Sequence, residues 1–174
     1  MADRGTVRTA DSEVAWVRTG EGAPVTVFAH GLGSSIDETR LLVAGLTGTQ
    51  VFVSFRGHAG SREDEAARWS YDALADDLAA VADLHGATRA MGVSVGAAAL
   101  LRLLGRDPAR FQRIVLFLPA VLDQTTSRPT ATVTGGGHRL SELAAADGLL
   151  RVEPGSADLS AGEIVRSAEL HVFR

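Results

Sequence analysis

Ser94 stands at the centre of Gly92-Val93-Ser94-Val95-Gly96. A serine hydroxyl is a poor nucleophile at neutral pH. It attacks a carbonyl only with a base in hydrogen-bond reach and with donors for the oxyanion it creates. A sharp turn from strand to helix would present such a serine above a sheet, with glycines where side chains would collide with neighbours. The flanking residues suit that turn. Residues 87–93 read as a small strand, and residues 95–104, rich in Ala and Leu, as a helix closed by Gly105. The amino terminus of that helix would add positive potential near the developing charge. The competing reading is a tight turn with a bystander serine.

Other elements must position this serine. Residues 12–18 alternate around Val14, Trp16 and Arg18, which predicts an edge strand entering a hairpin-like connection through residues 20–24. Val25-Thr26-Val27-Phe28-Ala29 predicts a buried strand, followed by His30-Gly31-Leu32-Gly33-Ser34-Ser35. A short helix is expected over residues 36–46, weakened by Gly45. Residues 51–55 predict the next strand, and Arg56-Gly57-His58-Ala59-Gly60-Ser61 a glycine-rich loop after it. In residues 71–85, Leu74, Leu78, Val81 and Ala82 share one helical face, while Asp72, Asp76, Asp77 and Asp83 take other positions. Ser70 is the expected amino-terminal cap and Gly86 the stop. Residues 113–118 form another apolar strand, running on to Asp123.

Strands alternating with helices from about residue 25 to 123 imply an α/β fold: a mostly parallel sheet with helices on both faces. Ligands of such sheets bind at the carboxy ends of strands. His30, Arg56, Ser94 and Asp123 all follow strands and should gather along one edge. Residues 124–137 read as a loop or linker. Residues 140–150 predict a helix interrupted by Gly148, and periodicity then fades until Leu170-His171-Val172-Phe173. No internal repeat is visible.

Three of these segments together resemble the α/β-hydrolase superfamily. His30-Gly31-Leu32-Gly33 is similar to its HGxG oxyanion loop. Phe55-Arg56-Gly57-His58-Ala59-Gly60-Ser61 is similar to its D-x-R-G-x-G-x-S loop, and residues 92–96 to its nucleophile elbow. Their order and spacing match across residues 12–123. The resemblance implies one domain over residues 1–174, with a recognisable core at 12–123 and a divergent tail at 124–174, shortened at its carboxy-terminal end. It implies Ser94 as nucleophile and the backbone N–H groups of Leu32 and Val95 as oxyanion donors. It implies loop support from His30, Gly31, Arg56 and His58, with His30 holding the oxyanion loop rather than acting as base.

The family's order is serine, then acid, then histidine. Asp123 is the first acid candidate, because it follows a strand directly; Asp147 and Asp158 are others, and each is equally readable as a solvated loop carboxylate. His171, within a short apolar run, is the first base candidate, and His138, after three glycines, the alternative. His85 is expected to meet the last carbonyls of its helix. Dehalogenase chemistry fits poorly, since in this fold it places Asp at the elbow.

Composition narrows the field. The length of 174 residues suits one domain. Aromatics are 5%, so Val, Leu and Ala must build the core. A net charge of −4 argues against a nucleic-acid partner. There are no cysteines, which removes disulfides and thiol nucleophiles. The five histidines lack i, i+4 pairing, so no metal and no cofactor is expected. No leader follows Met1 and no run of about 18 apolar residues occurs, so a cytoplasmic protein without a membrane partner is expected. The expected partners are a small acyl substrate and, through an exposed sheet edge, another copy of the chain. The expected function is a serine hydrolase of carboxylic esters or related acyl substrates. The alternative is a relative that keeps the fold but lacks the triad, with a binding or accessory role.

Overall fold

The computed structural model describes residues 2–43, 45–117, 120–123 and 130–133. Its main sheet contains β1 (Asp3–Arg8), β2 (Ser12–Thr19), β3 (Val25–Ala29), β4 (Thr49–Ser54), β5 (Arg62–Glu63), β6 (Arg89–Val93) and β7 (Arg113–Phe117). Strand order is β1-β2-β4-β3-β6-β7, with β5 also paired to β2. The β4-β3-β6-β7 half is parallel. β2 is antiparallel to β1, β4 and β5.

Alternation along the strands assigns the two faces. Val27, Ala29, Val51, Val53 and Ala90 join one apolar cluster, with Leu74, Leu78 and Val81 of α2 (Tyr71–His85) and Ala99, Leu100 and Leu103 of α3 (Val95–Arg106). Phe28, Phe52 and Met91 join the other, with Ile36 of α1 (Ile36–Leu42) and Val43. Phe28 and Phe52 are register partners with stacked rings 4.9 Å apart. The mostly parallel sheet with helices on both faces is therefore as expected. None of the described helices is long and apolar enough to cross a membrane.

Several boundaries differ from expectation. β2 is not an edge strand, because β1 lies outside it. Trp16 explains this: a Cβ on Gly5 would stand 2.7 Å from its ring, so β1 covers the indole. Residues 20–24 do not make a hairpin either, since β4 separates β2 from β3. α1 stops at Leu42, before Gly45 at φ +91°. α3 runs through Gly105 and ends at Arg106, where Asp107 N–H closes on Leu103 O. The expected linker contains a strand. β8 (Ala120–Asp123) and β9 (Thr130–Val133) pair antiparallel in a separate two-stranded sheet. The β-branched Thr130, Thr132 and Val133 favour that strand, a signal masked by the surrounding Gly and Pro.

α2 spans the expected residues. Ser70 Oγ accepts from Ala73 N–H at 3.1 Å, and Gly86 ends the helix in the left-handed region. Asp77, however, lies on the buried face and is 0% exposed. Its place three residues after Leu74 and four before Val81 puts it on that stripe. Its partner is Arg56, 1% exposed. Arg56 Nε donates to Asp77 Oδ2 at 2.9 Å and Nη2 to Asp77 Oδ1 at 2.7 Å. Nη1 also donates to Asp11 Oδ2 at 3.1 Å and to Arg68 O at 3.2 Å, and Nη2 to Ser12 Oγ at 3.2 Å. The hydrogen bonds it donates to Asp77 push the guanidinium's pKa up against the opposing effect of burial. The same guanidinium holds the Asp11 carboxyl below its ordinary value.

A buried guanidinium tolerates its desolvation only while its partners stay in place. Asp77→Ala should therefore cost about 3 kcal/mol or more of unfolding free energy, read from the urea midpoint. Arg102→Ala removes an exposed ion pair with Asp72 on the helix surface and should leave the midpoint nearly unchanged. Equal midpoints for both variants would mean that the buried fork does not hold the fold.

Candidate active site

Ser94 occupies the junction of β6 and α3 at φ +51° and ψ −113°. It is the one non-glycine with positive φ among the described residues. Such a conformation costs about 1–3 kcal/mol and persists only when the surroundings over-determine it. Here they do. Ser94 N–H donates to Phe117 O of β7 at 2.9 Å, and Ser94 O accepts from Ala98 N–H at 3.0 Å. The packing is closest at the two glycines. A Cβ on Gly96 would stand 2.6 Å from His30 O, and one on Gly92 2.7 Å from Ala97 N. Both obstacles are backbone, so neither can move aside cheaply.

The half-buried Ser94 makes no side-chain bond to its own helix. Val95 is the first residue of α3, where N–H groups have no partner within the helix. Across from the elbow runs the loop after β3. A Cβ on Gly31 would lie 3.6 Å from Ser94 Cβ, in ordinary contact. Ser34 N–H donates to Gly31 O at 3.1 Å and closes a turn, with Gly33 at φ +72°. Leu32 projects from this turn, 58% exposed. Its N–H has no partner among the described residues.

The loop after β4 braces that turn. Phe55 N–H donates to His30 Nε2 at 3.1 Å, and Gly33 N–H donates to His58 Nε2 at 3.2 Å. Each loop thus gives a backbone N–H to a histidine of the other. Because both Nε2 atoms accept, the neutral rings carry their protons on Nδ1. His30 Nδ1 donates to Gly31 O at 2.7 Å and His58 Nδ1 to Arg56 O at 3.1 Å. The rings meet edge-on, 4.4 Å between centroids. Burial, ahead of the nearby His58, pushes the His30 pKa down from 6.5 to about 4. Both nitrogens of both rings are therefore engaged within the two loops.

His30, Gly31, Leu32, His58, Ser94 and Val95 thus converge at the carboxy ends of β3, β4 and β6. Arg56 starts from the same edge, but its side chain turns into the core toward Asp77. Asp123 ends β8, opposite Thr130, rather than following a parallel strand. Asp147, Asp158, His138 and His171 lie outside the described residues. His85 packs edge-on against Trp16 at 4.3 Å. Its Nε2 has no partner among the described residues, in contrast to the expected carbonyl contact. No group of metal-ligating side chains occurs among the described residues.

Known structures share this fold. Epoxide hydrolase A of Mycobacterium thermoresistibile matches at TM-score 0.61 and 23% identity, over 74% of this chain and 42% of that one. A Vigna radiata epoxide hydrolase mutant matches at 0.58 and 22%, over 66% and 38%. A membrane phospholipase A described as a bacterial virulence factor matches at 0.57 and 21%, over 68% and 41%. The fold is that of the α/β-hydrolases. The chain spans about 40% of the length of these proteins, and identities this low carry the fold alone. Residues 110–170 match a different family model, the MoeA C-terminal region (domain IV). No curated protein matches.

Two outcomes are expected. Gly96→Ala forces a Cβ against His30 O and should lower the thermal midpoint by several degrees or abolish folding; an unchanged midpoint would refute the close packing. His30 stays neutral in the folded chain down to about pH 4, whereas the unfolded chain takes up the proton near 6.5. Its contribution is therefore full above about pH 6.5 and falls by roughly 3 kcal/mol as pH drops to about 4. In urea unfolding across that window, the wild type should show about one more proton of pH dependence than His30→Gln.

Proposed function

We propose that the chain is a serine hydrolase of acyl substrates, carboxylic esters first, with thioesters and lactones in the same class. The observation that carries this reading is Ser94 itself. It is held at φ +51° with no side-chain bond to its own helix, at the start of α3 and beside the Leu32 turn. A backbone strained at one serine, at the carboxy edge of a parallel sheet, is what a presented nucleophile requires.

Ser94 Oγ would attack the substrate carbonyl carbon while its proton passes to a histidine. The amides of Leu32 and Val95 would hold the oxyanion. Collapse of the tetrahedral adduct would expel the alcohol, which takes the proton back, and water would then release the acid from the acyl-enzyme by the same steps. His171 is the first candidate for the base, with Asp123 orienting it; His138 is the alternative. His30 and His58 are poorly suited, because each uses both ring nitrogens in bracing the loops.

A second reading has its own support. The match to the MoeA C-terminal region spans residues 110–170, which include Asp123, Asp147, Asp158 and His138. If that segment serves another purpose, the acid candidates and His138 do not serve Ser94, and with His171 just beyond it also uncommitted the chain would be a non-catalytic relative with a binding or accessory role.

Labelling by a fluorophosphonate probe, followed by intact mass, separates the readings. The hydrolase reading expects a single adduct that disappears in Ser94→Ala and slows by orders of magnitude in His171→Ala or His138→Ala. Labelling that persists in Ser94→Ala would sink it. A slow adduct on Ser94 that is unchanged in both histidine variants would favour the non-catalytic relative.

A further inference from the structure

We infer that His58 is a positioning residue that sets the conformation of the oxyanion turn through Gly33. The turn over residues 31–34 is closed by Ser34 N–H on Gly31 O, and its third residue, Gly33, has φ +72°. Positive φ at that position marks a type II arrangement; the type I alternative differs by a flip of the Leu32–Gly33 peptide. Glycine populates both signs of φ with little preference. The turn's own chain therefore does not choose between them.

His58 makes the choice. Gly33 N–H belongs to the peptide that would flip, and His58 Nε2 accepts it at 3.2 Å. A flip would turn this N–H away and bring the Leu32 carbonyl toward the ring's lone pair. The ring is itself held in place. Its Nδ1–H is on Arg56 O, its edge is on His30, and Trp69 lies 6.0 Å away. Arg56 in turn is anchored through its backbone N–H and its guanidinium to Asp77. A chain of contacts thus runs from the buried carboxylate of Asp77 through Arg56 and His58 to the peptide next to the Leu32 amide.

This inference rests on the reading of Leu32 N–H as an oxyanion donor. His58 touches no reacting atom under it; it fixes the aim of one that does. His58→Phe keeps a ring of similar shape and removes the acceptor. His58→Gln restores an acceptor oxygen.

Two measurements test it. In the wild type, NMR should detect coupling across the hydrogen bond from Gly33 N–H to His58 Nε2. In His58→Phe, the Gly33 amide should exchange about tenfold faster, the equivalent of one lost hydrogen bond, while amides of β3 and β6 keep their rates. Second, the rate constant for acylation of Ser94 by the fluorophosphonate should fall about tenfold in His58→Phe, with the probe's half-saturating concentration unchanged. His58→Gln should recover most of both losses. Absent coupling in the wild type, or unchanged Gly33 exchange in His58→Phe, overturns the inference. Faster Gly33 exchange with undiminished acylation overturns the positioning role. A wild type that takes no label at all sinks the hydrolase reading instead, and the coupling and exchange still decide whether His58 holds the turn.

Discussion

The Arg56 guanidinium, enclosed beneath the sheet and forked onto Asp77, is the interaction on which the rest of the site depends. A charge removed from water is costly unless its donors are met one by one. Here Asp77 takes two of them, and Asp11, Arg68 O and Ser12 take the others. These partners come from the turn before β2 and its first residue, from the segment before α2 and from α2 itself. The fork therefore joins elements on both sides of the loop after β4. Arg56 O, at the other end of the same residue, fixes the ring of His58. The conformation of this edge of the sheet is thus set by a charge that never reaches it.

The elbow works by a different constraint, steric rather than electrostatic. β6 ends against β7 through Ser94 N–H, and α3 begins against the backbone of residues 29 and 30. Between these two fixed points one residue must reverse the chain. That residue is forced to positive φ, and its side chain is left without a bond to its own helix. The strain and the presented hydroxyl have one cause, the shortness of the connection.

Local signals made much of this legible. Short apolar runs rich in β-branched residues marked β3, β4 and β7 within a residue or two. The spacing of Leu74, Leu78 and Val81 gave α2, with its cap at Ser70 and its stop at Gly86. The three loop motifs brought His30, Leu32, His58 and Ser94 to one edge. What failed was non-local. β1 had too few apolar residues to be noticed, although its Gly5 lies against the ring of Trp16. Asp77 looked like one more surface acid, although its offsets from Leu74 and Val81 placed it inside. The engagement of both histidines follows from two loops crossing, which no single segment encodes. β9 was hidden by the glycines and prolines around it. The candidates for base and acid stayed open for a related reason: residues 124–174 lack the apolar periodicity that would assign them to strands.

The glycines of the elbow have one more consequence. Gly92 and Gly96 bear on backbone atoms, and the serine between them is gripped by backbone hydrogen bonds. The nearest obstacles at both glycines are backbone atoms. Such a mount is durable across sequence drift and indifferent to whether a proton acceptor stands opposite. The pentapeptide is, in that sense, an architectural joint first, whether or not it serves a reaction.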